Sequence, residues 1–337
     1  MNALSYTAVR GGRSVSAPMS DEDSDLRGSR SATFISRVNS SRILVSGVSG
    51  PIGTALLPSL KMSGYSVTRL VRGKPSGEGQ IAWNPQQSLA PESVSGFEAV
   101  IHLAGESVVG RWSEAKKRRI LESRVLGTRH LAEALAKTSK RPRVLVSASA
   151  SGYYGNRNDE ILRETSSSGN GFLPEVCRQW EGATKAVSEA GIRTVHLRIG
   201  IMLSATGGAL QKMLLPFRMG VGGNMGSGAQ WWSWIHIQDL VGAVHHILKS
   251  DLIQGPVNAV SPRPVTNAEF TKTLASVLSR PAIFPMPAFA ARLAFGQMAD
   301  ELLLASQRIE PAKLISSGYP FQYPDLRRAL DNLLKSK

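Results

Sequence analysis

Cysteine occurs once in the 337 residues, as Cys177. That excludes an internal disulfide and a cysteine-rich zinc site, and it fits a reducing compartment, so a cytoplasmic location is expected. No apolar stretch is long enough to span a bilayer; the most apolar late segment, PAIFPMPAFAARLAFGQMA, is broken by prolines and Arg292. The six histidines show no zinc-type spacing, so no metal is expected. Acids are scarce beside bases, 25 against 40, which leaves a formal charge of +15. Such a surface attracts anions. The bases are scattered, however, and the densest clusters, KKRR at 116–119 and KTSKRPR at 137–143, accompany no helix-turn-helix, zinc-finger or aromatic RNA-binding signature. They read as a solvated face, with no specific nucleic-acid partner.

Residues 1–41 are rich in Ser, Arg and Gly, lack apolar periodicity and contain the acidic DEDSD at 21–25. A disordered tail is expected there. A transit peptide is the competing reading for the first twenty residues, but the acids that follow do not suit one. From Arg42 on, apolar runs alternate with helical patterns. RILVS (42–46), YSVTRLV (65–71), AVIHLAG (99–105), RVLVSAS (143–149), RTVHLRIG (193–200) and GPVNAV (255–260) read as strands. Helices are expected at 54–62, 113–137, 174–190, 208–219 and 239–249. Strands this continuous in apolar residues are covered on both faces, hence parallel, and strand–helix alternation makes the sheet doubly wound. A capping box, Thr266 to Glu269, opens a further helix. The expected fold is α/β: a Rossmann-type doubly wound parallel sheet over 42–265, with a small, mostly helical C-terminal lobe over 266–337.

GVSGPIG, residues 47–53, lies between the first strand and the first helix. Glycines there permit positive φ and let a ligand approach the backbone. The helix start offers unpaired N–H groups and a positive dipole end to a diphosphate. The context is that of a dinucleotide turn, and Gly47, Ser49, Gly50, Pro51, Ile52 and Gly53 are its candidate residues. An NAD site places an acid at the end of the second strand for the ribose 2′-hydroxyl. Here the strand ends TRLVRGK, with Arg69 and Arg72 and no acid. A guanidinium pairs with a 2′-phosphate, so NADP(H) is predicted, with Arg72 the better placed. HLAG ends the next long strand; Leu103, Ala104 and Gly105 are expected to let adenosine pass over the backbone, and His102 reads as packing.

The motifs GVSGPIG, HLAGESVVGRW, SRVLGTRHL, SASGYYG, CRQWEGA, LRIGIMLS and GSGAQWWSWIHIQDL run in order from about 43 to 270. With them the chain resembles an atypical extended short-chain dehydrogenase/reductase, of the subgroup called epimerase family proteins. The helical tail, ASQRIEPAKLISSGYPFQYPDLRRAL, resembles that subgroup's C-terminal domain of unknown function. The resemblance implies an NADP-binding Rossmann fold, a catalytic serine at the end of a strand, and a tyrosine with a lysine four residues later on one helix. Ser149 matches the serine. If Glu181 is the glutamate that follows the lysine by four, Leu173 and Cys177 stand where the tyrosine and lysine belong, and neither can do their work. Tyr153 or Tyr154 is therefore a candidate acid. Glu164 or Glu181 is a candidate acid/base, and a non-catalytic NADP sensor is the alternative. The resemblance also places Gly200 and Ile201 beside the nicotinamide. Arg198 reads as an anion holder or an ion pair.

On the substrate side, Gly222, Gly223, Gly226 and Gly228 suggest a loop that closes over substrate. Trp231 is open between stacking and packing, Trp234 reads as core, and Asp239 as a helix cap. Glu106, Arg111, Arg124 and Thr128 are second-tier candidates. The expected function is an NADP-dependent oxidoreductase or epimerase acting on a small polar or nucleotide-linked substrate. A homodimer is open.

Overall fold

The computed structural model describes residues 41–335; the tail expected over 1–41 lies, Ser41 apart, outside them. Seven strands form one parallel sheet: β1 (Arg42–Ser46), β2 (Ser66–Val71), β3 (Gln80–Ala82), β4 (Ala99–His102), β5 (Val144–Ala150), β6 (Arg193–Ile199) and β7 (Gly255–Ala259). Their spatial order is β3-β2-β1-β4-β5-β6-β7, the Rossmann order with one strand added. β3 was not expected: three residues after a glycine-rich stretch carry no apolar run. The order reverses between β1 and β4, whose registers pair Ile43 with Ala99 and Ser46 with His102. That reversal opens a crevice at the carboxyl ends of the strands, where ligands of such sheets sit.

The helices are α1 (Pro51–Met62), α2 (Glu114–Lys137), α3 (Phe172–Gly182), α4 (Lys185–Glu189), α5 (Gly208–Arg218) and α6 (Ile237–Lys249). After them come α7 (Asn267–Leu278), α8 (Ala288–Phe295), α9 (Ala312–Ser316) and α10 (Leu326–Lys335). The continuous apolar strands are explained by two cores. Ile43, Val45, Ile101 and Val146 meet Leu56 and Leu60 of α1 and Leu240 and Val244 of α6. Leu44, Val100 and Leu145 point the other way, against Leu131 and Leu135 of α2. Adjacent strand residues thus serve opposite faces. The helix expected over 174–190 divides, because the Thr184 hydroxyl donates to the Glu181 carbonyl at 2.8 Å and competes with the helical ladder.

A third core joins Leu210, Leu214 and Phe217 of α5, Trp232 and Trp234, Phe270 and Leu274 of α7, and Leu330 of α10. Thr266 caps α7 as its sequence suggests, its hydroxyl accepting from Glu269 N at 3.2 Å. Asp239 is not the cap of α6. That helix starts at Ile237, and His236 Nδ1 accepts from Gln238 N at 3.1 Å. One turn in, the Asp239 carboxylate accepts from the amides of Gln322 (2.7 Å) and Tyr323 (2.9 Å) and so fastens the C-terminal segment. Among the described residues no helix is long and apolar enough to cross a membrane.

Candidate functional site

The glycine turn leads from β1 into α1 at the crevice. Gly47 has φ of +73°, and a Cβ there would lie 2.6 Å from the Leu103 carbonyl carbon, so only glycine lets the turn pass the end of β4. Gly50 is the N-cap of α1 and Pro51 follows it; no side chain caps the helix, and no acid stands in its first turn. The amides of Ile52 and Gly53 therefore point to the crevice as donors for an anion. Ser49 and Pro51 are exposed at the mouth of the turn. A diphosphate fits this cradle: a Cβ on Gly50 would meet nothing nearer than the Gly47 carbonyl oxygen, at 3.4 Å.

Arg69 lies in β2 opposite Val45 of β1, and Arg72 is the exposed residue just after the strand. Among the described residues neither guanidinium is held by an ion pair. Leu103 and Ala104 are half-buried and Gly105 exposed, directly after β4. His102 is fully buried, with Nδ1 2.7 Å from Ser46 Oγ and Nε2 3.0 Å from Thr128 Oγ1. Burial lowers its pKa to about 4, so at neutral pH it is an uncharged bridge between β1 and α2. Trp180 of α3 donates from Nε1 to the same Thr128 hydroxyl at 3.0 Å.

Ser149, Tyr153, Tyr154 and Arg198 come together as one network. Its anchor is Glu181 of α3. Ser149 Oγ donates to Glu181 Oε1 at 2.7 Å, while Arg198 Nε and Nη2 each reach one carboxylate oxygen at 2.9 Å. Arg198 Nη1 donates to the Tyr154 hydroxyl at 3.0 Å, and that hydroxyl donates to Asn258 Oδ1 at 2.7 Å. The Tyr153 ring lies 3.4 Å from the guanidinium carbon. Tyr154 is fully buried; burial raises its pKa against the pull of Arg198. Burial also works against the charge of Arg198, but the Glu181 carboxylate outweighs it and the pKa is raised. Glu164 is buried too, its Oε1 accepting from Asn258 N and Lys313 N, both at 3.1 Å.

Beside this network, a cavity of about 550 Å³ opens between the strand ends and the C-terminal segment. Leu173 and Cys177, the positions where the resemblance implied tyrosine and lysine, lie one turn apart on α3 and both line it. The side chains there are apolar or inert. Burial pushes the Cys177 thiol up to about 12, which leaves no thiolate at neutral pH. Ala150, Ser151, Gly152, Gly200 and Ile201 also line the cavity, whereas Ser149, Tyr153, Tyr154 and Arg198 are not part of its wall. Gly200 is required by packing: a Cβ would lie 2.5 Å from the Ser233 carbonyl oxygen.

Arg124 of α2 is also in the wall. Its guanidinium sits against Gly105, 5.0 Å from the Trp180 ring, with Nη1 donating to the carbonyls of Glu106 (2.9 Å) and Ile120 (3.2 Å). No carboxylate is in ion-pair contact with it among the described residues, and burial lowers its pKa, with Cys177 and Glu106 acting the other way. Trp231 is half-buried in the wall, and its Nε1 donates to Asp159 Oδ1 at 2.8 Å. The glycine loop at 222–228 is tied down by backbone bonds from Phe284 N to Gly222 O (3.2 Å) and Met286 N to Asn224 O (2.8 Å). Sequence reasoning missed Glu301. Its carboxylate accepts from Phe172 N (3.1 Å) and Leu173 N (2.7 Å), so the C-terminal segment caps α3 across the cavity. No local signal links residues that far apart.

The profile of the NAD dependent epimerase/dehydratase family matches residues 43–259, and that of a domain of unknown function, DUF1731, matches 286–333. The chain belongs to the NAD dependent epimerase/dehydratase family. Within it, an epimerase family protein of Mycobacterium bovis is 38% identical over 290 residues, 86% of this chain and 96% of its own length. The crystal structure of human epimerase family protein SDR39U1 with NADPH superposes with a TM-score of 0.81 at 35% identity, covering 88% of this chain and all of the human one. The more distant MoeE5, in complex with UDP-glucuronic acid and NAD, shares the fold at a TM-score of 0.70 and 20% identity, covering 88% of this chain and 98% of its own.

Proposed function

We propose that this family member binds NADP(H) across the carboxyl ends of β1, β2 and β4 and works as an oxidoreductase of the short-chain dehydrogenase type. The observation that carries this is the uncapped, acid-free start of α1 beside Arg69 within β2 and Arg72 just after it, neither in an ion pair among the described residues. Gly47, Ser49, Gly50, Pro51, Ile52 and Gly53 cradle the pyrophosphate. Arg69 and Arg72 take the 2′-phosphate; Leu103, Ala104 and Gly105 flank the adenosine; Gly200 and Ile201 flank the nicotinamide. NADPH in the human relative supports the choice of cofactor. When bound, the cofactor supplies a hydride from C4 of its nicotinamide ring.

The proposed role of Ser149, Tyr153, Tyr154 and Arg198 is to hold α3 and β6 in place, because the polar atoms of Ser149, Tyr154 and Arg198 are engaged with one another and with Glu181 while the Tyr153 ring packs on the Arg198 guanidinium. Arg124 provides the cation that Cys177 cannot. Arg124 and Cys177 share the wall of one cavity, and this guanidinium is the proposed counterpart of the lysine that holds the nicotinamide ribose. The division at 265/266 is kept as a proposal of organisation, with the two family matches on either side of it. A second reading, a non-catalytic NADP sensor, is favoured by Leu173 and Cys177 in the wall.

Calorimetric titration tests the reading. NADPH is expected to bind at least tenfold tighter than NADH, and the double variant Arg69→Ala/Arg72→Ala to erase the preference. No heat with either cofactor sinks the proposal. NADPH oxidation with any of a panel of carbonyl compounds favours the enzyme; binding without turnover throughout favours the sensor.

A further inference from the structure

We infer that the substrate space beside the nicotinamide takes an uncharged, apolar carbonyl compound rather than a sugar nucleotide. This rests on the cofactor reading above. The wall contains five methionines, Met202, Met213, Met225, Met286 and Met298. They come from β6's continuation, α5, two loops and the segment after α8, so no one element's amphipathic pattern accounts for them. Phe217, Phe295, Leu302 and Leu303 complete the apolar side. Thioether side chains adapt to irregular apolar shapes, and the cavity of about 550 Å³, which the nicotinamide end shares at Gly200, Ile201 and Arg124, is in the range of small-molecule sites.

The polar groups of the wall are mostly committed. Ser233 Oγ donates to Gln307 O at 2.7 Å and accepts from Ile309 N at 2.9 Å. Glu301 caps α3. Gln307 Nε2 donates to Gly155 O at 3.2 Å. Ser151, Lys212 and the rest of Arg124 remain. A nucleoside diphosphate sugar brings two further phosphates and a ring of hydroxyls. Each polar group buried without a partner costs about 1–3 kcal/mol, so such a ligand is rejected while an alkyl or ring system is accepted. In the reaction the carbonyl carbon gains the hydride from NADPH, the oxygen gains a proton from water, the C=O double bond becomes the single bond of an alcohol, and NADP⁺ is left.

The test uses the full chain saturated with NADP⁺ and reads binding calorimetrically with two probes, decanal and UDP-glucose. Decanal is expected to bind saturably and UDP-glucose not to. Met213→Glu is expected to weaken decanal at least tenfold and Met213→Leu by less than about threefold; Phe295→Asn, at another lining residue, repeats the loss should Met213→Glu not fold. UDP-glucose binding as tightly as decanal, or decanal indifferent to both polar variants, overturns the inference. NADPH titration of the same proteins keeps the two claims apart. If NADPH binds and decanal does not, only the substrate class falls; if NADPH itself does not bind, the functional reading falls.

Discussion

Arg198 and Arg124 bring the same group to the same helix on different terms. Arg198 is 4% exposed at its side chain and meets the Glu181 carboxylate on two edges. Arg124 faces a cavity, bonded to two carbonyl oxygens and placed near the Trp180 ring, with no carboxylate in ion-pair contact among the described residues. A guanidinium neutralised in a fixed fork fastens structure; one left uncompensated at a cavity wall has charge to offer a ligand. The difference separates the half of the site that fastens the fold from the half that lines the cavity.

The largest expected effect lies with the first. Glu181→Gln leaves the Arg198 charge buried without its partner, and denaturant unfolding should show a loss of about 3–5 kcal/mol. Arg198→Lys should not restore it, because an ammonium cannot span both oxygens. A loss below about 1 kcal/mol would erase the contrast. His102 comes next, since its hydroxyl partner Thr128 is shared with Trp180, the ring under Arg124. Its folded pKa of about 4 lies below the ordinary 6.5, so the unfolded chain binds the proton more readily. Stability is then full above pH 6.5 and falls as pH drops toward 4, by up to about 3 kcal/mol in total. Unfolding curves between pH 7 and 4.5 should show this slope, and His102→Gln should remove its share while leaving that of His236, whose pKa burial also lowers to about 4.

Arg124→Met should reverse the first pattern. Thermal stability should change little beside the loss in Glu181→Gln, while NADPH affinity measured calorimetrically should drop at least tenfold, about 1.4 kcal/mol. An unchanged affinity would assign Arg124 to packing. Glu301→Ala uncaps α3 from the cavity side and should cost about 1 kcal/mol, with little change at the Arg198 side. Smallest is Tyr154→Phe, which removes one bond to Asn258 and one from Arg198. It should cost about 1 kcal/mol and leave turnover intact if Tyr154 is structural.

The sheet and the glycine turn were legible because their causes are local. Apolar continuity in RILVS and VLVSASA, Gly47 at positive φ and the Thr266 cap each act within a few residues. The site was legible in part. Leu173 and Cys177, which the resemblance sets where a tyrosine and a lysine are expected, share a cavity wall. The tie of Asp239 to Gln322 and Tyr323, and of Glu301 to the start of α3, was not readable, since neither partner lies near the other in the chain.

The chain's order of residues was enough for the parallel sheet, the Thr266 cap and the absence of an acid beside Arg69 and Arg72, because propensity, capping and strand burial operate over one turn or one strand. Only folding in three dimensions decided which buried charges have partners and which walls are dry. Glu181 and Arg198 meet through the packing of a helix on a strand, and Met202 and Met298 share a cavity. Desolvation and ion pairing depend on what surrounds a group in space, and that surrounding is assembled from segments whose spacing along the chain carries no trace of it.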